Sequence, residues 1–376
     1  MEFLQQILAY LCAPLVLFSG LVGLRGGVNE TQYKEYKNVI LLIGDGMGEN
    51  HLELAKDKTP GDLVMEDQAR MPIRGQSQTN SWPGFIVTDS AAGGTALACG
   101  IRNISGQIGV FALDPKMWIA TPASVAELAI ENGRLAGVVT TDSTSGATPA
   151  AFSAHTASRN GEAEISNGQL TSGLTLIWGA GSASVTEAKA KENDFAYFIK
   201  TETEMDALPA GSRSFGQFSG GDLGNLTNEN DTPTLAEMTG KAIAILDNEN
   251  GFFLMVEGAH IDKHAHSNKT DETVAHVRAF DDAIAEALAF AEADGETLVL
   301  VTADHETGGV KLQSGAYVFT SGGHTMANVP VFVNVTDAGF VGGGVWKNRQ
   351  IGVQLGRVMG FGPDVFPTPI LPRLGA

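Results

Sequence analysis

The feature that most constrains the fold is a series of short, uninterrupted apolar runs, each followed directly by polar or glycine-rich residues. The first run covers residues 38–43 and gives way at once to a glycine-rich turn. Runs of the same character cover residues 135–141, 252–256 and 298–302. Continuous apolar runs of this length are typical of strands that are buried on both faces of a parallel sheet.

Helical segments separate these predicted strands. Residues 122–132 begin with Pro122 and end before Gly133, a placement of proline and glycine that is typical of helix ends. Residues 276–293 repeat apolar side chains on one helical face, and Gly295 ends that pattern. The alternation of strands and helices predicts an α/β fold with a large, mostly parallel central sheet and helices on both faces.

The length of 376 residues permits one large α/β domain or two small ones. Residues 160–250 are polar and rich in glycine and asparagine, and we expect loops and surface helices there rather than a second core. Residues 7–24 are mostly apolar, so residues 1–28 are predicted to be a signal peptide or an N-terminal anchor. Residues 29–376 are then a single domain in the periplasm or outside the cell, with no membrane contact unless the N-terminal segment is retained.

The formal net charge of −19 restricts the partners of this chain. An acidic surface repels the phosphates of nucleic acids and anionic lipid head groups, so we expect no nucleic-acid binding. It repels a phosphate substrate as well, and an enzyme acting on one would need local positive charge. Divalent cations can supply that charge, although acidity alone indicates only a soluble surface.

Acidic residues and imidazoles follow the ends of the predicted strands. Asp45 follows the first strand, Glu257 the third, and Asp304 and His305 the fourth. Ligands bind beyond the carboxyl ends of strands in sheets of this type, so these side chains are expected to converge at one edge.

A histidine-rich segment adds to this cluster. Asp262 and His266 are four residues apart, so one helical turn would direct both side chains the same way, and this pair suits Zn²⁺. His260 and His264 have the same spacing and are rival ligands. His324 offers a further imidazole, and the residue types together predict a metal site.

Ser90 precedes a run of small residues, 91–94, which favours a helix that begins at the serine and packs closely on its neighbours. The free N–H groups at a helix N-terminus favour an anion. A serine hydroxyl is a poor nucleophile at its own pKa, and a zinc ion would activate it. The alternative is a serine that only caps the helix.

Seven short motifs in this chain resemble those of the alkaline phosphatase family, in that family's order. They lie between residues 44 and 325. The motifs are Gly44-Asp45-Gly46-Met47-Gly48, Thr88-Asp89-Ser90-Ala91-Ala92-Gly93, Ala147-Thr148-Pro149-Ala150-Ala151, Val256-Glu257-Gly258-Ala259, Ile261-Asp262, Thr302-Ala303-Asp304-His305-Glu306-Thr307-Gly308-Gly309 and Gly323-His324-Thr325.

The resemblance implies an alkaline phosphatase-like fold, a homodimer, and hydrolysis of phosphate monoesters to alcohol and inorganic phosphate through a phosphoserine on Ser90. It also implies two zinc ions and one magnesium ion, and on this correspondence His260 and His264 are not ligands. The implied ligands are Asp262, His266 and His324 for the first zinc, Asp45, Asp304 and His305 for the second, and Asp45, Thr148 and Glu257 for magnesium, with Asp45 bridging.

Three further positions follow from the resemblance. Arg159 would clamp two phosphate oxygens with its planar guanidinium group, and Lys263 would contact phosphate through water. Gly146 departs from the family pattern, in which bacterial members usually have aspartate and animal members histidine. The glycine removes a group near the magnesium site and the usual partner of Lys263, so we expect magnesium to bind less tightly than zinc. Asp142 is the candidate replacement.

Two alternative functions remain open on the sequence. A phosphodiesterase of the same superfamily would be expected to lack Glu257, Thr148 and Arg159. A sulfatase would be expected to need a modifiable Cys or Ser in its own signature, and Cys99 lies in no such context. A non-catalytic metal- or phosphate-binding protein would have no need of Ser90.

Overall fold

A computed structural model describes residues 33–114, 116–219 and 223–367, and the predicted signal peptide or anchor at 1–28 lies outside this part of the chain. In chain order the strands are β1 (Asn38–Gly44), β2 (Ile73–Gln78), β3 (Phe111–Asp114), β4 (Met117–Ala120), β5 (Leu135–Ser143), β6 (Leu176–Ala180), β7 (Tyr197–Ile199), β8 (Ser214–Gln217), β9 (Phe252–Gly258), β10 (Thr297–Thr302), β11 (Glu306–Thr307), β12 (Lys311–Gln313), β13 (Ala316–Val318), β14 (His324–Thr325), β15 (Val329–Val333) and β16 (Val345–Lys347).

The α-helices surround these strands, and in the described ranges none is long and apolar enough to cross a membrane. In chain order they are α1 (Glu49–Lys58), α2 (Ser90–Cys99), α3 (Val125–Glu131), α4 (Ala147–Ala151), α5 (Glu162–Thr171), α6 (Glu187–Glu192), α7 (Glu202–Asp206), α8 (Leu235–Leu246), α9 (His260–His266), α10 (Thr270–Asp294) and α11 (Asn348–Val358).

The described residues build a ten-stranded sheet in the order β16-β2-β15-β10-β1-β9-β5-β6-β8-β7. From β10 to β7 every neighbouring pair is parallel, whereas β15 runs antiparallel to both β10 and β2. The prediction of a large, mostly parallel sheet is confirmed.

Both faces of this sheet are covered, which explains the continuous apolar runs. In β1 the side chains of Val39, Leu41 and Ile43 belong to one core, and those of Ile40 and Leu42 belong to the other. Alternate side chains of a strand point to opposite faces, so a strand buried on both sides must be apolar throughout. Helices α2, α3 and α11 contribute to the first core, and α1, α8 and α10 contribute to the second.

The expectation that residues 160–250 form only loops and surface helices is wrong. This segment contributes β6, β7 and β8 to one end of the main sheet. The side chains of Trp178 and Phe215 in these strands are fully buried. The strands are three to five residues long and two of them contain glycine, so their apolar pattern is weak.

Two predicted helices have different beginnings in the structure. The helix expected at 122–132 begins at Val125, because the Ser124 hydroxyl caps it by accepting a hydrogen bond from the Glu127 amide. The helix expected at 276–293 begins earlier, at Thr270, because the polar residues of its first turn give no apolar periodicity. It ends at Gly295 as predicted.

The register of the central strands brings their carboxyl ends together. Ile43 near the end of β1 is paired with Glu257 of β9 on one side and with Thr302 of β10 on the other, and Thr140 of β5 is paired with Glu257. The residues that follow these strands therefore meet at one edge of the sheet.

We predict that Phe280→Ala lowers the free energy of unfolding by about 3–5 kcal/mol. Phe280 of α10 is fully buried, and a side-chain carbon at Gly258 in β9 would lie 2.9 Å from its ring, so truncation leaves a cavity against the sheet. Leu312→Ala is the control, because Leu312 is 60% exposed and should cost less than about 0.5 kcal/mol. Urea unfolding measures both values, and equal losses in the two variants would contradict the prediction.

Candidate active site

The Ser90 side chain lies at the first residue of α2. Asp89 caps this helix, with its carboxylate accepting a hydrogen bond from the Ala92 amide at 3.1 Å. The small residues bring the helix against the end of β10, because a side-chain carbon at Gly93 would lie 2.8 Å from the backbone oxygen of Asp304. Ser90 is buried, and its Oγ lies 3.2 Å from His305 Nε2. The predicted helix start and the predicted close packing are both present.

The first predicted zinc group is assembled from α9 and β14. His266 Nε2 lies 3.4 Å from Asp262 Oδ2 and 3.1 Å from His324 Nε2, and His324 Nε2 lies 3.6 Å from Asp262 Oδ1. One turn of α9 directs Asp262 and His266 the same way, as the spacing predicts.

The second predicted zinc group lies beside Ser90. His305 Nε2 is 3.2 Å from Asp304 Oδ2 and 3.5 Å from Asp45 Oδ1. Both of these carboxylate oxygens are buried without a hydrogen-bond partner. His305 also approaches Asp262 and His324 closely enough for one cation to contact all three, so it lies between the two groups.

Glu257 is the centre of the third group. Its buried carboxylate accepts a short hydrogen bond from the Thr140 hydroxyl. Thr148 of α4 faces the same carboxylate, but its buried oxygen makes no well-formed hydrogen bond. Carboxylate and hydroxyl oxygens are ligands that Mg²⁺ accepts.

The carboxylates of these groups repel one another. Burial, and then the charges of Asp304, Asp262 and Glu257, raise the pKa of Asp45 well above its usual range. Burial, and then the charge of Asp142, raise the pKa of Glu257 to about 8. Bound cations would remove this repulsion and use the unpartnered oxygens, so the residues present fit divalent metals.

The histidines of the site have shifted pKa values as well. The hydrogen bond with Asp262 raises the pKa of His266 to about 9. Burial opposes ionisation of Asp262, but the hydrogen bonds from His266 and Thr307 outweigh it and lower the Asp262 pKa. Burial lowers the pKa of His305, which keeps that ring neutral and able to bind a cation.

Arg159 is held near Asp45 and Asp304 by the residue that caps α2. Its Nη1 donates to Asp89 Oδ2 at 3.1 Å, and the guanidinium group is partly exposed. Asp89 also accepts from the Gly106 amide at 3.0 Å. The same carboxylate therefore positions both the helix start and the arginine.

Asp142 is the partner of Lys263, as suggested by the absence of a carboxylate at position 146. Lys263 Nζ donates to Asp142 Oδ1 at 2.6 Å. A side-chain carbon at Gly146 would lie 2.5 Å from Asp142 Oδ2, so the aspartate fills the space that the glycine leaves. After burial, its charge is the next cause that raises the pKa of Glu257.

The rival ligands His260 and His264 belong to neither of the two groups proposed to bind zinc. Their rings pack on His276 of α10, with ring centroids 5.0 Å and 4.9 Å from it, and His260 Nδ1 is 3.1 Å from Thr141 Oγ1. Within the described ranges, these three histidines do not form a group with the geometry for a cation.

Several functional contacts were missed in the sequence. Thr140, Asp89 and Thr307 each contact residues of the site, and Thr307 Oγ1 binds Asp262 through a short hydrogen bond and lies 3.2 Å from His305 Nδ1. Asp89 and Thr307 lie inside the motifs that resemble the family, and this position is the signal that the sequence carries for them.

Comparisons with known proteins show which family this chain resembles. A family profile described as "Alkaline phosphatase" matches residues 36–177 and 181–339. Alkaline phosphatase 4 of Bacillus subtilis (strain 168) is 34% identical over 254 residues, which cover 63% of this chain and 54% of that relative. Alkaline phosphatase H of Pseudomonas aeruginosa (strain UCBPP-PA14) is 33% identical, with 62% of each chain covered. The chain thus spans less than two thirds of the length of these curated relatives.

Solved structures are similar over more of the chain. Alkaline phosphatase from the Antarctic bacterium TAB5 is 31% identical with a TM-score of 0.74, covering 88% of this chain and 100% of that chain. The Thermus thermophilus enzyme has a TM-score of 0.77 at 21% identity, covering 90% of this chain and 94% of that chain, a likeness of fold alone. On the extent of the family match, the chain belongs to the alkaline phosphatase family.

Proposed function

We propose that this protein hydrolyses phosphate monoesters to an alcohol and inorganic phosphate, with Ser90 as the nucleophile. The observation that carries the proposal is the position of Ser90 Oγ, 3.2 Å from His305 Nε2 at the start of a helix. His305 belongs to two sets of residues that could each bind a cation, one with Asp262 and His324 and the other with Asp45 and Asp304. Family membership supports the same reaction.

We propose that the cations are two zinc ions and one magnesium ion. The zinc ligands are Asp262, His266 and His324 in one group and Asp45, Asp304 and His305 in the other. Asp45, Thr148 and Glu257 are the magnesium ligands. Nitrogen and carboxylate donors suit zinc, an all-oxygen set suits magnesium, and a variant of the TAB5 enzyme was solved with Mg in its M3 site. Bound zinc supplies Lewis acidity that increases the nucleophilicity of a hydroxyl group and offsets phosphate charge.

The chain's own residues carry the remaining steps. The Ser90 oxygen attacks phosphorus, the bond from phosphorus to the ester oxygen breaks, and the serine proton ends on the departing alcohol. Water then cleaves the phosphoserine, which restores the Ser90 hydroxyl and releases phosphate. Arg159 holds two phosphate oxygens in a planar fork, the N-terminus of α2 favours the negative group, and Lys263 contacts phosphate through water.

Rival reactions of the superfamily are less well supported. Thr148 and Glu257 face each other, and Asp89 holds Arg159, so the residues that a diesterase would be expected to lack are present. A sulfatase would be expected to need a modifiable residue in its own signature, and Cys99 lies in no such context. Comparing the rates of hydrolysis of mono- and bis-nitrophenyl phosphate distinguishes a monoesterase from a diesterase.

We also propose that the protein is a homodimer in the periplasm or outside the cell. The apolar residues 7–24 support export, and homodimers are common in the family.

Ser90→Ala should reduce turnover of p-nitrophenyl phosphate by roughly 10³-fold or more, since the nucleophile is removed. Wild-type protein should trap labelled phosphate at acid pH and the variant should not. Ser77→Ala, at a buried serine in β2, is the matched control and should turn over normally. Full activity in the Ser90 variant would refute the proposed mechanism.

Without cations, the protein should become less stable as pH rises from 7 to 9. The raised pKa values of Asp45, Glu257 and His266 mean that the folded state keeps protons in this range that the unfolded state has released. A state that binds more protons loses relative stability with rising pH.

Urea unfolding of chelator-treated protein at pH 7 and pH 9 measures this loss. Adding zinc and magnesium should abolish it, and mass spectrometry should find both metals in the untreated protein. Chelated protein that is more stable at pH 9 than at pH 7 would show that the carboxyl groups do not repel one another as described.

Asp142→Asn should weaken magnesium binding to zinc-loaded protein by roughly 10-fold, because it removes a negative charge beside Glu257. Isothermal titration calorimetry measures the affinity. Asp57→Asn makes the same charge change at an exposed residue and is the control. Unchanged affinity in the Asp142 variant would remove this residue from the magnesium site.

The double variant Asp142→Ala with Gly146→Asp tests the geometry further. The alanine clears the space in which a side chain at position 146 would meet the Asp142 carboxylate. The new aspartate should then recover most of the magnesium affinity that Asp142→Ala loses. Gly146→Asp alone should bring no such gain, because its side chain would meet the Asp142 carboxylate.

A further inference from the structure

Thr307 lies between the two groups proposed to bind zinc. It is fully buried, and its Oγ1 makes a short hydrogen bond with Asp262 Oδ1. The same oxygen lies 3.2 Å from His305 Nδ1. Asp262 belongs to the first group and His305 to the second, so one hydroxyl connects ligands of both.

The direction of these hydrogen bonds follows from the groups themselves. An ionised carboxylate only accepts, so the Thr307 hydroxyl donates its single proton to Asp262. Towards His305 the hydroxyl oxygen can then only accept, which requires the proton of that ring to be on Nδ1. A cation binds the ring nitrogen that carries no proton, and for His305 this is Nε2.

His305 Nε2 is the nitrogen that faces the reactive groups. It lies 3.2 Å from Ser90 Oγ, 3.2 Å from Asp304 Oδ2 and 3.5 Å from Asp45 Oδ1. The contacts form a chain from Ser90 through His305 and Thr307 to Asp262. The tautomer that Thr307 selects is therefore the one that leaves Nε2 available beside the serine.

The backbone holds Thr307 in this position. Its amide donates to the Gly46 oxygen at 3.0 Å, and the residue is paired with His324 in the β11–β14 ladder. Gly46 has a φ of 73°, and a side-chain carbon there would lie 2.8 Å from Thr307 Oγ1. The turn that carries Asp45 therefore needs a glycine where it meets the threonine hydroxyl.

We propose that Thr307 is a positioning residue that sets the tautomer of His305 and orients ligands of both zinc groups through one hydroxyl. This inference rests on the proposed zinc binding. Its loss should affect the two cations together, because Asp262 and His305 each lose a hydrogen-bond partner. If the Thr307 side chain only filled space against the turn at Gly46, replacing it by valine would leave zinc affinity unchanged.

The test is a zinc titration against a competing chromophoric chelator. Thr307→Val keeps the shape and removes the hydroxyl, and we expect both cations to bind roughly 10- to 100-fold more weakly. Thr307→Ser keeps the hydroxyl and should bind as wild type does. If Thr307→Val binds both ions as tightly as wild type, the inference is wrong. Wild-type protein that binds no zinc would overturn the proposed zinc sites as well.

Thr325→Val is the matched control, because it makes the same change in the same two-stranded ladder. The Thr325 hydroxyl donates a short hydrogen bond to Glu306, which is also a threonine-to-carboxylate contact. Weakening of zinc binding in Thr307→Val but not in this control supports a role for the hydroxyl. Equal weakening in both variants would assign the effect to the ladder and overturn the inference.

A second measurement reports the tautomer directly. In zinc-loaded protein with ¹⁵N-labelled histidine, His305 should show a one-bond N–H signal at Nδ1 that exchanges slowly with solvent. Thr307→Ser should preserve this signal, and Thr307→Val should lose its protection from exchange. A His305 proton found on Nε2 in wild-type protein would contradict the proposal whatever the affinities.

Discussion

Mutual repulsion among buried carboxylates is the constraint on which the rest of this structure depends. Asp45, Glu257, Asp262 and Asp304 come from distant parts of the chain and are all buried at one edge of the sheet. Placing several negative charges at such a site is costly unless positive charge accompanies them. The sheet and its helices supply the rigid frame, and divalent cations are the partners that suit the donors present.

The same constraint reconciles an acidic protein with the anionic substrate proposed for it. A net charge of −19 opposes the approach of phosphate from a distance, so attraction has to be local. Arg159 and Lys263 provide fixed positive groups, and each is held by an aspartate, Asp89 in one case and Asp142 in the other. These contacts leave the guanidinium and ammonium groups partly exposed, where a phosphate could meet them.

The predictable parts of this protein are those in which burial or local spacing acts along the chain. Strands β1, β5, β9 and β10 are apolar on both faces, so their existence and their convergence at one edge could be predicted. Short strands such as β6 and β8 left too little pattern to be recognised. The role proposed for Thr307 depends on contacts through space with residues far away in the sequence, which no periodicity records.

The fit between Gly146 and Asp142 restricts how this site can change over evolutionary time. Any side chain that arises at position 146 meets the Asp142 carboxylate, so the two positions are epistatic. Moving the carboxylate from position 142 to position 146 therefore requires a smaller residue at 142, or a shift of Asp142 that disturbs its bond to Lys263.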